Sequence, residues 1–220
     1  MIIYLMRHGE TDWNKRGCFQ GQMDVPLNDY GRELAEITAE ALKDVQFEAA
    51  FCSPLIRAVE TANIMLKGQR TAEQPQRCEK QISQEKPKVP LITDERLKEI
   101  NFGIKEGSNI AQMRSDPTEP LYYLLNDPKN YVPPEGAESL EEVYKRSASF
   151  MEEKIRPLEK QYETILIVAH GVMNRSIINP IAGIPMEDFW SVKMLNCTVA
   201  VLSLQDGKFQ VVEKGRTYYE

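Results

Sequence analysis

The sequence predicts an α/β fold, a three-layer sandwich in which helices flank a mostly parallel central sheet. Three short apolar runs predict buried strands, at residues 2–6, 49–53 and 164–169. The stretches between these runs carry apolar residues at helical spacing, and strands that alternate with helices are typical of a parallel sheet. The chain of 220 residues is long enough to bury a proper core as one domain, residues 1–220, with insertions.

Two helices in the first third of the chain are predicted from caps and apolar spacing. Asn28 is predicted to cap the first, because an asparagine side chain can accept a hydrogen bond from the free N–H groups of the first turn. The apolar positions of this helix share one face: Leu34, Ile37, Ala41, Leu42 and Val45. In the second helix, Ser53 is predicted to be the cap and Pro54 the first helical residue.

The second half of the chain predicts two more helices and a hairpin. Ser139 and Glu142 have the spacing of a capping box, so we expect a helix after Ser139. The third strand leads into a helical stretch up to roughly Gly183. Asp206 and Gly207 separate two strand-like runs, and this pair favours a tight turn with positive φ, which predicts a hairpin.

Two segments interrupt the alternation and are predicted to be insertions, at about 67–90 and 104–136. The first is polar, rich in lysine and glutamine, and has no periodicity. The second carries five prolines between residues 115 and 136, together with several Tyr and Leu. We expect both insertions to lie over one edge of the sheet, with their loops above the active site.

The composition argues against a nucleic-acid or membrane partner. The chain has 27 Lys and Arg against 33 Asp and Glu, a net charge of −6 at pH 7, whereas nucleic acids and anionic membranes attract positive surfaces. It has no apolar run of transmembrane length and no signal-peptide pattern. The four scattered cysteines predict reduced thiols, packed as small apolar residues, in a cytoplasmic protein. The oligomeric state, monomer or homodimer, stays open.

Polar side chains follow three of the predicted strands at the point where each strand ends. Arg7 and His8 follow the first, Ser53 and then Arg57 follow the second, and His170 follows the third. Ligands of open α/β sheets bind at the carboxyl ends of the strands, and two arginines with a helix N-terminus favour an anion. The sequence therefore predicts a phosphate-sized site. A metal site is the weaker interpretation, because the histidines lack a carboxylate ligand pattern and Arg7 would repel a cation. We expect no metal and no cofactor.

The chain contains four segments that together resemble a known family, in this order: "LMRHGETDWN", "SPLIRAVETA", "ERLKEINFGIKEG" and "IVAHG". They are similar to the successive signature segments of the histidine phosphatase superfamily, in its phosphoglycerate-mutase-like branch. The resemblance spans residues 2–205, nearly the whole chain. An RHG triplet alone would be a weak signal, whereas four segments in the right order are a specific one.

The resemblance implies a phosphoryl-transfer site in which His8 is the nucleophile and forms a phosphohistidine. Arg7, Arg57 and His170 would surround the phosphoryl oxygens and stabilise the charge of the transition state. Glu99 would be the general acid that protonates the leaving oxygen, and then the base that activates water. The further positions implied for substrate binding are Asn14, Gln20, Gly21 and Gly171.

Several residues keep alternatives open. On spacing alone, Glu99 is more simply a surface carboxylate in an ERLKE run, and Glu106 and Asp24 are the substitute acids. Glu138, in "GAES", matches another recurrent segment, but it could be only a carboxylate at a helix N-terminus. Two other residues are predicted to support the site or the core: Arg175 and Asn196.

The family that the segments resemble contains phosphatases and mutases, and three features favour a phosphatase of small phosphorylated metabolites. The "EINFGIKEG" segment resembles the phosphatases more than the "ERHYG" pattern of the mutases. Ile110 stands eleven positions after Glu99, where the mutases carry a lysine, and the chain ends soon after its last predicted strand. A phosphoglycerate mutase stays the alternative, with Arg114 as an anchor for a carboxylate or a second phosphate. A non-catalytic phosphate-binding module is the second alternative.

Overall fold

The computed structural model describes residues 1–67 and 89–219, and this part of the chain forms a six-stranded sheet with helices around it. The strands are β1 (Ile2–Arg7), β2 (Ala49–Cys52), β3 (Leu91–Thr93), β4 (Thr164–Ala169), β5 (Val199–Gln205) and β6 (Lys208–Arg216). The α-helices are α1 (Asp12–Lys15), α2 (Asp29–Ala41), α3 (Ile56–Leu66), α4 (Ile110–Ser115), α5 (Tyr122–Asn126), α6 (Leu140–Ser149) and α7 (Gly171–Ile181). None of the helices in these described ranges is long and apolar enough to cross a membrane.

The strand order is β3-β2-β4-β1-β5-β6. β4 runs parallel to β1 on one side and to β2 on the other, with Val168 opposite Met6 and Ile167 opposite Phe51. β3 pairs with β2 in parallel, whereas β5 runs antiparallel to β1 and forms a hairpin with β6. The predicted mostly parallel sheet is confirmed, and β1, β4 and β2 all end at the same edge.

Apolar side chains cover both faces of the sheet, which confirms the three layers. On one face, Ile167 belongs to a core that includes Val143 of α6. On the other, Val168 belongs to a core that includes Leu34 of α2 and Ala62 of α3. Successive residues of a strand point to opposite faces, so a strand that is buried on both sides has a continuous apolar sequence.

The predicted caps of α2 and α6 and the C-terminal hairpin are confirmed. The Oδ1 atom of Asn28 accepts an N–H of the first turn of α2 at 2.7 Å. Before α6, Ser139 Oγ accepts the N–H of Glu142 at 3.2 Å, and the Glu142 carboxylate accepts the N–H of Ser139 at 2.8 Å. The hairpin turns at Asp206 and Gly207, with φ of 51° and 72°, as a tight primed turn requires.

The predicted start of α3 is wrong. The helix begins at Ile56, not at Pro54 with Ser53 as its cap. Ser53 still belongs to the edge of the sheet, because its N–H donates to the carbonyl of Val168 at 3.0 Å. The N–H of Ile56 instead donates to Asp24 Oδ1 at 2.6 Å. A carboxylate that is distant in sequence replaces the expected local cap, and a local pattern does not predict such a contact.

Some parts of the fold were not predicted as elements. The edge strand β3 has three residues, and the helices α4 and α5 lie within the predicted insertion 104–136. After α6 the chain continues as a π-helical turn, Phe150–Ile155. The other predicted insertion, 67–90, falls almost wholly on residues 68–88 and lies outside the described residues.

The prediction that the cysteines pack as small apolar residues holds for two of the three described cysteines. Cys52 and Cys197 are buried, and burial raises the pKa of each thiol to about 12. Both therefore behave as small apolar residues. Cys18 is half-buried and does not belong to the core, and Cys78 lies outside the described residues.

Candidate active site

The common edge of β2, β4 and β1 brings the predicted site residues together. β4 lies between β1 and β2, so His170, which follows β4, lies beside His8, which follows β1. The centroids of the two rings are 5.1 Å apart. Arg57 comes from the first turn of α3. His8, Arg7 and Arg57 line a cavity of about 270 Å³, and His170 is wholly buried against His8.

His8 is a buried imidazole with one ring nitrogen in a hydrogen bond. Its side chain is 2% exposed, and Nδ1 lies 2.6 Å from the carbonyl oxygen of Gly9. A carbonyl oxygen only accepts hydrogen bonds, so Nδ1 carries the proton and Nε2 has the free lone pair in the neutral ring. Burial, followed by the charges of Arg57 and Arg7, holds the pKa of His8 well below its usual range. His8 is therefore neutral and nucleophilic at pH 7.

Four buried nitrogen atoms around His8 have no hydrogen-bond partner among the described residues. They are Nε of Arg7, Nε of Arg57 and both ring nitrogens of His170. A buried polar group without a partner costs about 1–3 kcal/mol, so a cluster of them indicates groups that are satisfied by a ligand. Burial, then the charge of Arg57, also lowers the pKa of His170 well below its usual range. His170 is thus a neutral hydrogen-bond donor beside the cationic donors Arg7 and Arg57.

Backbone carbonyls fix the two arginines without neutralising them. Arg57 is fully buried and donates to the carbonyls of Met23 and Gly21, each at 2.7 Å. Arg7 donates to the carbonyl of Met194 at 2.7 Å. Burial lowers the pKa of Arg57 to about 10, which still leaves the guanidinium charged at pH 7. The site therefore holds positive charge that an anion with several oxygens can neutralise.

Asn14 and Gln20 line the same cavity and have their carbonyl oxygens occupied. Asn14 Oδ1 accepts the N–H of Thr11 at 3.2 Å, and Gln20 Oε1 accepts the Thr11 hydroxyl at 2.9 Å. Their amide NH₂ groups donate to no described residue and are therefore available to a ligand. Gly21 and Gly171 also line the cavity.

The loop at Gly21 depends on the absence of a side chain. Gly21 has a φ of 54°, in the left-handed region that favours glycine, and a Cβ there would collide with the Glu106 carboxylate. Glu106 lies behind this loop and accepts the N–H of Gln22 at 2.8 Å. Asp24 is bound to the start of α3. Neither substitute acid is among the residues that line the cavity.

Glu99 lines the cavity and is bound at the N-terminus of α7. Its Oε1 accepts the N–H groups of Val172 and Met173, each at 3.1 Å, and that of Ile100 at 3.1 Å. The first N–H groups of a helix have no partner within the helix, so a carboxylate is well placed there. The structure thus brings Glu99 to the site, and it is not an isolated surface carboxylate.

Arg146 is a residue that the sequence analysis missed. It donates to both carboxylate oxygens of Glu138, at 2.6 and 2.9 Å, and to the carbonyls of Arg96, Lys98 and Glu99, at 2.7, 2.6 and 3.1 Å. The Arg146 guanidinium therefore ties α6 to the segment that carries Glu99. A signal was present in the sequence, because Arg146 follows Val143 by three positions and so borders the apolar face of α6.

Two other residues hold the backbone next to the histidines. Arg175 donates to the carbonyl of Gly171 at 2.9 Å and stacks on the ring of Trp190, 4.9 Å from its centroid. The amide of Asn196 donates to the carbonyl of His8 at 3.1 Å. Both contacts fix backbone next to the two histidines.

Arg114 and Cys18 line the cavity as well, and the rest of its wall is apolar. It comprises Phe19, Phe102, Ile110, Leu125, Val172, Trp190 and Met194. Trp190 is fixed by a hydrogen bond from Nε1 to the carbonyl of Leu124 at 2.7 Å. Tertiary packing assembles this wall, so no local motif predicted it. Within residues 1–67 and 89–219, no three His, Cys, Asp or Glu side chains group as metal ligands.

Comparison with known proteins gives relatives over nearly the whole chain. The chain is 32% identical over 193 residues, 88% of this chain and 83% of the relative, to the 2,3-bisphosphoglycerate-dependent phosphoglycerate mutase of Cytophaga hutchinsonii. Among solved structures, Bacillus stearothermophilus YhfR matches with a TM-score of 0.81 at 28% identity, over 100% of this chain and 99% of that one. The α-ribazole phosphatase of Shigella flexneri matches with a TM-score of 0.76 at 25% identity, over 97% and 95%.

The names of these relatives include both a mutase and a phosphatase, so they do not choose between the two reactions. The family is decided by the sequence as a whole, because the model of the histidine phosphatase superfamily (branch 1) matches residues 3–217. This match includes His8 and His170 as well as Arg7 and Arg57. The chain belongs to the histidine phosphatase superfamily.

Proposed function

We propose that this protein is a phosphatase that hydrolyses a small phosphomonoester through a phosphohistidine on His8. The observation that carries the proposal is the neutral His8 ring, with a free Nε2, among buried donors that lack partners. This arrangement fits a phosphoryl group better than a metal ion, because the nearest charges, on Arg7 and Arg57, are positive. The size of the cavity fits a small metabolite.

In the first step, Nε2 of His8 attacks phosphorus as the bond to the ester oxygen breaks. The proton on Nδ1 stays in its hydrogen bond with Gly9, so the ring becomes a phosphoimidazole without losing its orientation. Arg7, Arg57 and His170 donate to the phosphoryl oxygens, where charge accumulates in the transition state. Glu99 in its protonated form gives a proton to the leaving oxygen.

In the second step, water attacks the phosphohistidine. Glu99 is now a carboxylate, so it can take a proton from the water and generate the nucleophile. The phosphorus–nitrogen bond breaks, His8 returns to the neutral ring, and inorganic phosphate leaves. Glu99 is protonated again for the next turnover.

A phosphoglycerate mutase is the second candidate, because relatives such as that of Cytophaga hutchinsonii carry this name. In a mutase the phosphohistidine must transfer its phosphoryl group to a second substrate alcohol instead of water. Ile110 lines the cavity and offers no charge to a substrate carboxylate. The two candidates are separated by NMR with 3-phosphoglycerate and a catalytic amount of 2,3-bisphosphoglycerate. Rapid formation of 2-phosphoglycerate would favour the mutase, and slow release of phosphate the phosphatase.

The proposal is tested by trapping the phosphoenzyme from a ³²P-labelled phosphomonoester. We expect an acid-labile, base-stable label on the wild type and none on His8→Ala, which should lose essentially all turnover. His170→Ala is the matched control, since it removes an imidazole but not the nucleophile; it should still be labelled, ~10²-fold more slowly. EDTA should leave the rate unchanged. Label on His8→Ala, or a wild type that binds phosphate without turnover, would overturn the proposal.

A further inference from the structure

The cavity changes in character between its floor and its mouth. His8, at the floor, is 2% exposed, and the charged and polar donors surround it. The same cavity is also lined by Phe102, Leu125 and Trp190 together with Ile110 of α4. A leaving group that extends from the phosphate toward the mouth would therefore bury apolar surface.

Arg114 lies at the exposed rim of the same cavity. Its guanidinium forms no hydrogen bond or ion pair with any described residue. Arg175, the other arginine of this wall, is already occupied, because it donates to the carbonyls of Val192 and Gly171. The backbone of Arg114 is fixed, since its carbonyl accepts from Asn126 Nδ2 at 3.1 Å. Arg114 therefore carries a charge with no partner in residues 1–67 and 89–219, on a backbone that Asn126 holds.

The position of Arg114 gives the spacing of the groups that it could bind. Ile110 and Arg114 are four residues apart on α4, so they share one face and are separated by one turn, about 6 Å along the axis. Ile110 is half-buried and Arg114 is exposed, so the cation lies on the solvent side of this face. A complementary ligand has a phosphate at one end, an apolar middle and an anionic group at the other end.

We propose that the leaving alcohol of the substrate has an apolar, ring-sized body that ends in a carboxylate bound by Arg114. One guanidinium matches the two oxygens of a carboxylate, whereas the phosphate at the floor is surrounded by Arg7, Arg57 and His170. Phe102 and Trp190 can pack against a planar body. This inference rests on the proposed phosphatase activity and adds the substrate class.

The test compares two probes, 4-carboxyphenyl phosphate and its neutral isostere 4-carbamoylphenyl phosphate, in the wild type and in Arg114→Ala. The measured quantity is the kcat/KM for 4-carboxyphenyl phosphate divided by the kcat/KM for 4-carbamoylphenyl phosphate. Comparing this ratio between the two enzymes cancels the difference in leaving-group reactivity. We expect the ratio to fall about tenfold in Arg114→Ala. Arg32→Ala, which removes a partly exposed arginine of α2 outside the cavity, should keep the wild-type ratio.

Each outcome has a distinct meaning. A ratio that is equal in the wild type and Arg114→Ala, with both probes hydrolysed, would overturn the role of Arg114 and leave the phosphatase activity standing. A similar fall in Arg32→Ala would show a general effect of surface charge and would also overturn the inference. If the wild type hydrolyses neither probe nor any other phosphomonoester, the proposed function itself fails.

Discussion

At the scale of single residues, the role proposed for Glu99 is the one that depends most on the leaving group. An alkoxide is a strong base and leaves slowly without a proton, whereas p-nitrophenolate is stable and can leave alone. Glu99→Gln keeps the shape of the side chain but cannot give up a proton. We expect it to slow an alkyl phosphate by ~10²–10⁴-fold and the release of p-nitrophenol in the first turnover far less. Stopped-flow bursts with the two substrates measure the difference.

Glu106→Gln is the control for Glu99→Gln. Glu106 lies behind the loop at Gly21 and does not line the cavity, so its loss should affect both substrates to the same extent. If Glu99→Gln slows both substrates by the same factor in the burst, Glu99 is not the acid. A selective loss of alkyl phosphate turnover in Glu106→Gln would assign the role to that carboxylate.

Gly21 provides a second prediction for a single residue, with Gly17 as its matched control. Both have positive φ, 54° and 66°, but a Cβ on Gly17 would meet nothing within 4 Å. Alanine at either position costs ~1–2 kcal/mol of backbone strain. Only Gly21→Ala must also displace Glu106 or the carbonyl that holds Arg57. We expect kcat/KM to fall more than tenfold in Gly21→Ala and to stay near wild type in Gly17→Ala. Equal activities would show that the loop adapts.

At the scale of elements, Arg146 of α6 fixes the segment that carries Glu99. Lysine keeps the charge but offers three donors on a single nitrogen, so it cannot reach the five acceptors that the guanidinium reaches. We expect Arg146→Lys to lower the free energy of unfolding by ~1–3 kcal/mol. We also expect kcat to fall for alkyl phosphates more than for p-nitrophenyl phosphate, as in Glu99→Gln. Urea unfolding and burst kinetics measure the two effects.

Arg156→Lys is the control for Arg146→Lys. Arg156 pairs with Glu152 on the exposed side of the chain that follows α6, and a surface ion pair contributes ~0–1 kcal/mol. Its replacement should change neither substrate preference nor stability by much. If Arg146→Lys loses stability but keeps the wild-type preference between alkyl and aryl phosphates, its ion pair stabilises the fold without positioning Glu99.

The elements also show what a sequence can predict. The strands β1, β2 and β4 are apolar because both of their faces are buried, so the layers and the position of His8, Arg57 and His170 follow from local pattern. The start of α3 does not follow from local pattern, because the first N–H of this helix donates to Asp24, which lies in a loop that is distant in sequence. The apolar wall and the ion pair of Arg146 likewise depend on which segments meet. The charged residues at the edge of the sheet were predictable, and the apolar wall of the cavity was not.

At the scale of the whole molecule, the two site histidines couple folding to pH. They are the only histidines of the sequence, and histidine is the side chain whose ordinary pKa lies between pH 5 and 8. In the folded protein, the pKa values of His8 and His170 are both well below their usual range. Burial is the larger cause, and the charge of Arg57 is the next. In the unfolded chain they titrate near 6.5. Burial, together with the positive charge of Arg57, thus keeps both rings neutral in the folded protein.

The pH dependence of stability follows from this difference. Below about pH 6.5 the unfolded chain binds protons that the folded protein does not, so the free energy of unfolding rises with pH. The stability is complete above about pH 6.5 and is lost as the pH falls, by up to ~1.4 kcal/mol per pH unit for each histidine. Asp94, whose pKa is lowered by its hydrogen bond with Arg96, loses its contribution only below pH 4. The histidines therefore dominate between pH 5 and 6.5.

Urea unfolding in phosphate-free buffer at pH 5.0 and 6.5 measures this dependence. The wild type should be less stable at pH 5.0, and His170→Asn should show about half of the wild-type difference, because one of the two titrating groups is gone. Gly17→Ala, which is strained but keeps both histidines, should retain the full difference. Equal stability at the two pH values, or an unchanged difference in His170→Asn, would mean that the folded protein protonates its histidines. In that case a neutral His8 would not be the form that meets the phosphate.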